Sequence, residues 1–508
     1  MAYLVGIDVG TSGARTLIID ESGGLVGAGT IEYPMSTPRP LWAEQNPADW
    51  WHAVCEATQI ALGEAGISAE EISGIGLTGQ MHGMVLLDGK GRVLRPCIMW
   101  NDQRTAAQCQ WIMDTVGRDR FLSLTLNPAL PGFTAPKIVW TRENEPEVYA
   151  KAAKLLLPKD YIRYRLTGGY VTEVSDASGT ALLDVRARDW SEEVLAALDI
   201  PSDWLPDCVE SQSVTGTITS EAAQLTGLVE GTPVVGGGGD QAASAVGTGI
   251  VEPGLVSVTL GTSGVVFAHT QEPKLDPKGR LHTFCHALPD AWHVMGVTLS
   301  AGGSFRWFRD ALGLAEKQVA SLAGVDPYEI LTAEAAEAPV GSEGLLFLPY
   351  MTGERTPHAD PNARGVFFGL TLRHDQRHMV RSVLEGVTYS LRDSLELFGE
   401  LDVPIRQVRA TGGGARSLLW RQMLADVFGT ELVTVDVTDS TAYGAALLAG
   451  VGTGIYDSVP EACRETVKIV DEIQPDPKRQ QTYDAYYQVY RSLYQALHPA
   501  FDAVAQID

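Results

Sequence analysis

LVGIDVGTSGARTLIID, residues 4–20, and LVSVTLGTSGVVFAHT, residues 255–270, repeat one pattern 251 residues apart. Each runs an apolar segment into Gly-Thr-Ser-Gly and out into another apolar segment, which spells two strands joined by a small-residue turn. Glycine supplies positive φ and lets a ligand approach the backbone, while successive N–H groups and the Thr and Ser hydroxyls offer donors to an anion. A single GTSG reads as an ordinary hairpin turn. Two copies in matching contexts read instead as a duplicated strand-turn-strand clamp, with phosphate as the anion. Neither copy opens a helix or carries GxGxxG or GxxxxGK[ST], so the Rossmann and P-loop schemes do not apply.

The repeat also sets the organisation. A chain of 508 residues exceeds the size at which single cores stop growing. Two domains are expected, residues 1–245 and 246–508, packed closely because no low-complexity linker separates them. Hydrophobic residues make up 45% and charged residues 20%, and no apolar run approaches 18 residues, so a globular protein without a membrane span is expected. The start of the chain has no basic segment, apolar signal core or small-residue cleavage site, which points to the cytoplasm. Six cysteines, Cys55, Cys97, Cys109, Cys208, Cys285 and Cys463, lack CxxC spacing. They read as reduced thiols rather than zinc ligands or a disulfide framework. A net charge of −25 repels a phosphate backbone and excludes nucleic acid as a partner.

Residues with chemistry gather where apolar segments stop. Asn46-Pro47 is an N-cap and a first-turn proline, predicting an amphipathic helix to about Leu62. In residues 71–105 an apolar strand reaches Gln80–Gly83, a hairpin turns around Gly89 and Gly91, and a further strand ends at Trp100. Ligands of open α/β folds sit off strand ends, so Met81-His82-Gly83 and Trp100-Asn101-Asp102 are candidates for one pocket. His82 suits either a core hydrogen bond or a ligand contact, and Trp100 either a core position or stacking on a sugar face. VVGGGGDQAASAVGTG, residues 234–249, carries a glycine run into Asp240 and a small-residue helix. Asp240 reads as a helix N-cap, or as the carboxylate that takes a proton from a hydroxyl nucleophile, or both. Asp8, two residues before the first turn, is either a turn-capping Asp or the residue that holds Mg²⁺. VRATGGGARSLLWRQMLADVFG, residues 408–429, is a strand, a triple-glycine turn and a helix, a weak nucleotide signal. Met379, Val383, Val387, Leu391, Leu395 and Phe398 form a helical core stripe over 378–400.

Several long stretches resemble one family. GIDVGTSG (6–13), GQMHG (79–83), WNDQR (100–104), PGFTAPK (131–137), LLPKDYIRYRLTG (156–168), GGGDQAA (237–243), SVTLGTSGV (257–265), FLPYMTGERTPH (347–358) and GVFFGLTLRHDQRHMVRSVLEG (365–386) are similar to the FGGY carbohydrate kinases, most of all to their xylulokinase branch. The resemblance implies an α/β fold of two actin-like (RNase H-like) ATPase domains with an interdomain cleft. It implies ATP and Mg²⁺ as cofactors and a small-molecule sugar as substrate, most readily D-xylulose converted to D-xylulose 5-phosphate. It also implies that the two hairpins hold the nucleotide phosphates from opposite sides. Carried over residue by residue, Asp8 belongs to the metal, and Gly10, Thr11, Ser12 and Arg15 to the first phosphate loop. Gly261 and Thr262 belong to the second loop, and Gly412, Gly413 and Gly414 border the adenosine. Met81, His82, Gly83, Trp100 and Asn101 line the sugar, Asp240 is the base, and Gln241 meets sugar hydroxyls. Two departures bear on substrate: Gln241 stands where xylulokinases often have Asn, and Arg15 where Lys is frequent. Another ketose or a polyol (ribulose, a tetrulose, a pentitol, glycerol) stays open, as does an actin- or chaperone-like ATPase without a sugar. A homodimer is compatible with all of this.

Overall fold

The computed structural model describes residues 2–507. In the first half, β1 (Tyr3–Val9) and β2 (Gly13–Asp20) form the antiparallel hairpin around the first GTSG, with Asp8 opposite Arg15. β3 (Leu25–Glu32) extends it. α1 (Pro47–Ala65) begins as expected: Asn46 accepts from the Ala48 N–H and Pro47 takes the first turn. It runs past Leu62 and closes on Gly66 in the left-handed region, at φ 62°. β4 (Ile72–Gly79) then lies parallel to β1. α2 (Pro158–Thr167), β5 (Val214–Thr217), β6 (Pro233–Val235) and α3 (Asp240–Gly247) complete the half. The sheet order is β5-β6-β4-β1-β2-β3, with Gly238–Gly239 pairing alongside β4.

The second half repeats the plan. β7 (Gly254–Leu260) and β8 (Gly264–Thr270) flank the second GTSG, and β9 (His282–Cys285) and β10 (Trp292–Thr298) extend the antiparallel side. After α4 (Gly302–Ala311) and α5 (Gln376–Glu400), β11 (Ile405–Thr411) returns parallel to β7. β12 (Glu431–Val435), α6 (Ser440–Gly452) and β13 (Ile469–Ile473) follow. The order is β9-β10-β8-β7-β11-β12-β13. In both sheets the repeated hairpin is central and its first strand pairs in parallel with a strand reached through helices. Parallel pairing needs such a crossover, and each half makes its own.

Apolar alternation fails in β1, where Leu4, Val5, Ile7 and Val9 are all buried, because the sheet is covered on both faces. The stripe on α5 is core as expected, with Val383, Val387, Leu391 and Phe398 fully buried. The halves meet through small residues. A Cβ on Gly6 would stand 1.8 Å from the Ala442 carbonyl oxygen and one on Gly76 1.8 Å from that of Ala445, so α6 of the second half lies directly on β1 and β4 of the first. α6 also crosses α3, where the Ser244 and Ser440 hydroxyls share a 2.8 Å hydrogen bond. All six cysteines are free and five are buried, with Cys208 half-buried. Among the described residues, no helix is long and apolar enough to cross a membrane.

Candidate active site

The first GTSG turn closes through the Gly10 N–H on the Gly13 carbonyl at 3.0 Å. Three side chains then pin it from outside. The Tyr33 hydroxyl donates to the Gly10 carbonyl at 2.5 Å, Gln45 Nε2 to the Thr11 carbonyl at 2.7 Å, and Trp100 Nε1 to Thr11 Oγ1 at 3.0 Å. Ser12 faces solvent.

Asp8 does not cap the turn. Its Oδ2 accepts from Thr441 Oγ1, at the start of α6, at 2.7 Å, while its Oδ1 is shut from solvent with no hydrogen-bond partner. Burial, with the Asp439 carboxylate adding to it, pushes Asp8 up to about 6. Arg15, on the strand opposite, pairs with Asp439 at 2.6 Å across the two halves. A desolvated carboxylate oxygen lacking a donor fits a hard cation, and Mg²⁺ with its own waters asks for few protein ligands. Among the described residues, no group of three or more His, Cys, Asp or Glu is arranged to hold a metal.

Asp240 opens α3, and Gly239 fills the N-cap position, so the capping alternative falls away. The carboxyl is pushed up to about 7, by burial first and by the Asp8 charge second, against the opposing pull of hydrogen bonds from the Gln241 backbone and side chain. Gln241 thus touches the carboxyl it follows. A group poised near neutrality at a helix start is suited to accept a proton.

Met81 and His82 lie in the turn after β4, next to Asp240: a Cβ on Gly239 would sit 3.0 Å from Met81 Cγ. His82 takes a left-handed φ of 68°. Its Nδ1 stands 2.6 Å from the Gly179 carbonyl oxygen. A carbonyl only accepts, so Nδ1 carries the proton and Nε2 keeps its lone pair, with no partner among the described residues. Burial, with the Lys137 and Arg355 charges adding to it, pushes His82 down to about 3 and fixes this neutral form. The ring stacks on Phe133 at 4.5 Å. His82 is thus a core hydrogen-bonder on one nitrogen and keeps an acceptor on the other. Its carbonyl is held by Thr134 Oγ1 at 3.1 Å and by Lys137 Nζ at 2.8 Å. Gly83 is packed against Pro158, where an added Cβ would come within 2.5 Å.

Trp100 is 37% exposed and so offers a ring face while its nitrogen holds the first GTSG turn. Asn101 donates only to Met35 Sδ at 3.7 Å, and its Oδ1 has no partner. Asp102 leaves this group: fully buried, it accepts from the Ala43 N–H at 2.7 Å and pairs with Arg104 at 2.7 Å.

The second turn is held differently. The Gly302 N–H donates to the Gly261 carbonyl at 2.8 Å, and the Ala301 and Gly303 N–H groups to the Thr262 carbonyl at 3.0 and 2.9 Å, so the start of α4 grips the loop by its backbone. Beside it opens a cavity of about 500 Å³ lined by Gly261, Thr262, Phe305, Tyr328, Gly413, Gly414 and Trp420 among others. Gly412, at φ 83°, makes the bend that turns Gly413 and Gly414 toward this cavity. A mixed aromatic and glycine lining of this size suits a flat heterocycle. Asp439, Thr441, Gln45, Lys137 and Gly179 are parts of the site that the motif reading did not single out. Only Lys137 lay within a quoted stretch.

Two α/β halves, each with a GTSG hairpin in its main sheet, define a phosphotransferase of the actin-like fold. The chain belongs to the FGGY family of carbohydrate kinases: the family's N-terminal domain matches residues 3–247 and its C-terminal domain residues 256–453. It is 42% identical over 496 residues to a xylulose kinase of Escherichia coli K12, covering 97% of this chain and 99% of that one. It is 39% identical over 494 residues to one of Bacillus subtilis 168, covering 97% of each. The solved xylulose kinase of Rhodospirillum rubrum superposes with a TM-score of 0.90 at 31% identity, over 98% of this chain and all of that one.

Proposed function

We propose that this carbohydrate kinase transfers the γ-phosphoryl group of ATP to the terminal hydroxyl of D-xylulose, with Asp240 as general base. The observation that carries the reading is the Asp240 carboxyl, pushed up to about 7 between Asp8 on one side and the Met81–His82 turn on the other. The sugar oxygen attacks the γ-phosphorus as its proton passes to Asp240. The bond from γ-phosphorus to the bridging oxygen breaks and ADP leaves. Mg²⁺, when bound, neutralises the phosphate charge, and Asp8 is the residue that would hold it. The Nε2 lone pair of His82 accepts from a sugar hydroxyl, Trp100 covers the apolar face of the sugar, and Gln241 and Asn101 supply amides. Gly10, Thr11 and Ser12 cradle phosphate from the first half, and Gly261 and Thr262 from the second. Gly412, Gly413 and Gly414 border the adenosine. Residues 1–245 thus supply the sugar site and residues 246–508 the nucleoside site, in a cytoplasmic enzyme with reduced thiols.

ADP release measured with D-xylulose, D-ribulose, a tetrulose, xylitol and glycerol tests the substrate, and D-xylulose is expected to have the highest kcat/KM. ATP turnover indifferent to all of them would point to a plain ATPase instead. Asp240→Asn is expected to lower kcat at least about 100-fold with ATP affinity kept. In the unaltered enzyme kcat should fall as pH drops through about 7, because the base must be ionised to accept. Normal turnover of the Asn variant would remove Asp240 from the chemistry.

A further inference from the structure

Four consecutive glycines, Gly236–Gly239, lead into Asp240. Such a run is loose in isolation, since glycine has the most backbone freedom to lose. A buried network restrains it. Arg163 of α2 donates to the Val235 carbonyl at 2.6 Å and the Gly236 carbonyl at 2.5 Å, and the Gly237 N–H donates to the Ser211 carbonyl at 2.7 Å. The last glycine is held by a side chain: the Gly239 N–H donates to Ser175 Oγ at 3.0 Å. Ser175 is itself fixed. Glu173 caps the short helix Val174–Ala177, accepting from the Ser175 N–H at 2.7 Å, and takes a 2.9 Å hydrogen bond from the Ser211 hydroxyl. Lys159 lies 2.7 Å from Asp160, 3.4 Å from Glu173 and 3.3 Å from Asp176, all of them buried. Four residues beyond Ser175, the Gly179 carbonyl accepts from His82. One short buried strap, residues 173–180, therefore grips both the peptide before Asp240 and the imidazole proposed to face the sugar.

We propose that Ser175 is a positioning residue for phosphoryl transfer: by accepting the Gly239 N–H it fixes the 238–239 peptide, one residue ahead of Asp240, and with it the direction in which Asp240 projects toward the attacking hydroxyl. The inference rests on Asp240 being the base. Removing the acceptor leaves sugar and nucleotide contacts in place but lets the carboxyl wander, and small misplacements of a reacting group cost rate rather than binding.

Ser175→Ala is expected to lower kcat about tenfold while the KM values for ATP and sugar stay within about threefold. In an Asp240→Asn background the same change should cost nothing further, because the residue through which it acts is already disabled. Ser175→Cys, which keeps a weak acceptor, should recover part of the rate. Ser211→Ala, which loosens the same network without touching Gly239 through its side chain, should lower Tm comparably and leave kcat within about twofold. A Ser175→Ala enzyme with kcat within twofold of the original, or with its full loss persisting in the Asp240→Asn background, overturns the proposal. If Ser175→Ala does not fold, Ser175→Cys decides: reduced kcat at unchanged KM supports positioning, and unchanged kcat overturns it. Normal turnover by Asp240→Asn alone would instead bring down the base assignment, a failure separable from that of Ser175.

Discussion

The two GTSG turns share a backbone and differ in charge. Aligned on the tetrapeptide, Asp8 of the first corresponds to Thr259 of the second, and Arg15 to Val266. Thr259 is engaged with Thr411 by a 3.0 Å hydroxyl pair, and Val266 is core. The first turn is pinned by side chains from three distant segments, Tyr33, Gln45 and Trp100, while the second is gripped by the backbone amides of Ala301, Gly302 and Gly303. The repeat preserves the peptide of the turn, and the carboxylate proposed to hold a cation stands in one copy alone. On the proposed reading the first turn serves the reacting end of the nucleotide. The second is a neutral cradle at the mouth of the 500 Å³ cavity.

The most severe way to break the comparison is Asp8→Thr, which turns the first loop into a copy of the second. We expect kcat to fall at least about 100-fold, with the dependence of rate on Mg²⁺ flattened, because the charge proposed to hold the cation is gone. Stability should move the other way. Asp8 is pushed up to about 6 in the folded chain from 3.8, so its ionisation costs folding free energy at pH 8, where both states are charged. Below 3.8 both states are protonated and the cost vanishes. Asp8→Thr should therefore raise Tm at pH 8 relative to its effect at pH 3.5. A variant that keeps its rate and destabilises equally at both values would show that Asp8 is a framework residue, like Thr259.

How much of this was legible in sequence follows from the range of each interaction. The hairpins, the Asn46 cap and the stripe on α5 are local patterns with a period or a turn chemistry, and they fold as read. The partners that complete the site are not local. Thr441 meets Asp8 across 433 residues and Trp100 meets Thr11 across 89, and neither pairing leaves a trace in spacing. Asp102 misled for the opposite reason. It sits beside Trp100 and Asn101 at a strand end, yet it turns inward to Ala43 and Arg104. The strap at 173–180 carries neither a glycine run nor an apolar period. Only the fold reveals that it touches both Gly239 and His82.

A smaller perturbation addresses the second turn. A Cβ on Gly302 would stand 2.5 Å from the Gly261 carbonyl oxygen, which is backbone and has no rotamer to yield. Gly302→Ala should displace that loop at a cost of roughly 1–3 kcal/mol. We expect the KM for ATP to rise roughly tenfold while the KM for sugar is unchanged, since no proposed sugar contact lies on this loop. Equal rises in both constants would mean that the two clamps move as one body, and the contrast between them would lose its meaning.

The mildest test asks whether the first turn truly depends on side chains. Trp100→Phe keeps a ring of similar apolar face but removes the Nε1–H that reaches Thr11 Oγ1 at 3.0 Å. Trp100 is 37% exposed, so water can replace the lost donor and the penalty is that of one neutral hydrogen bond, about 1 kcal/mol or roughly fivefold. Because Thr11 is proposed to cradle phosphate, that loss should fall on kcat/KM for ATP. The sugar, still covered by the phenyl ring, should keep its KM. Trp100→Ala separates the two duties of the residue, since it should add a rise in sugar KM to the same loss in ATP. If Trp100→Phe instead weakens sugar and leaves ATP untouched, the indole nitrogen serves the sugar side in the working enzyme. The first turn would then rest on Tyr33 and Gln45, which reach its Gly10 and Thr11 carbonyls much as the amides of α4 reach those of the second.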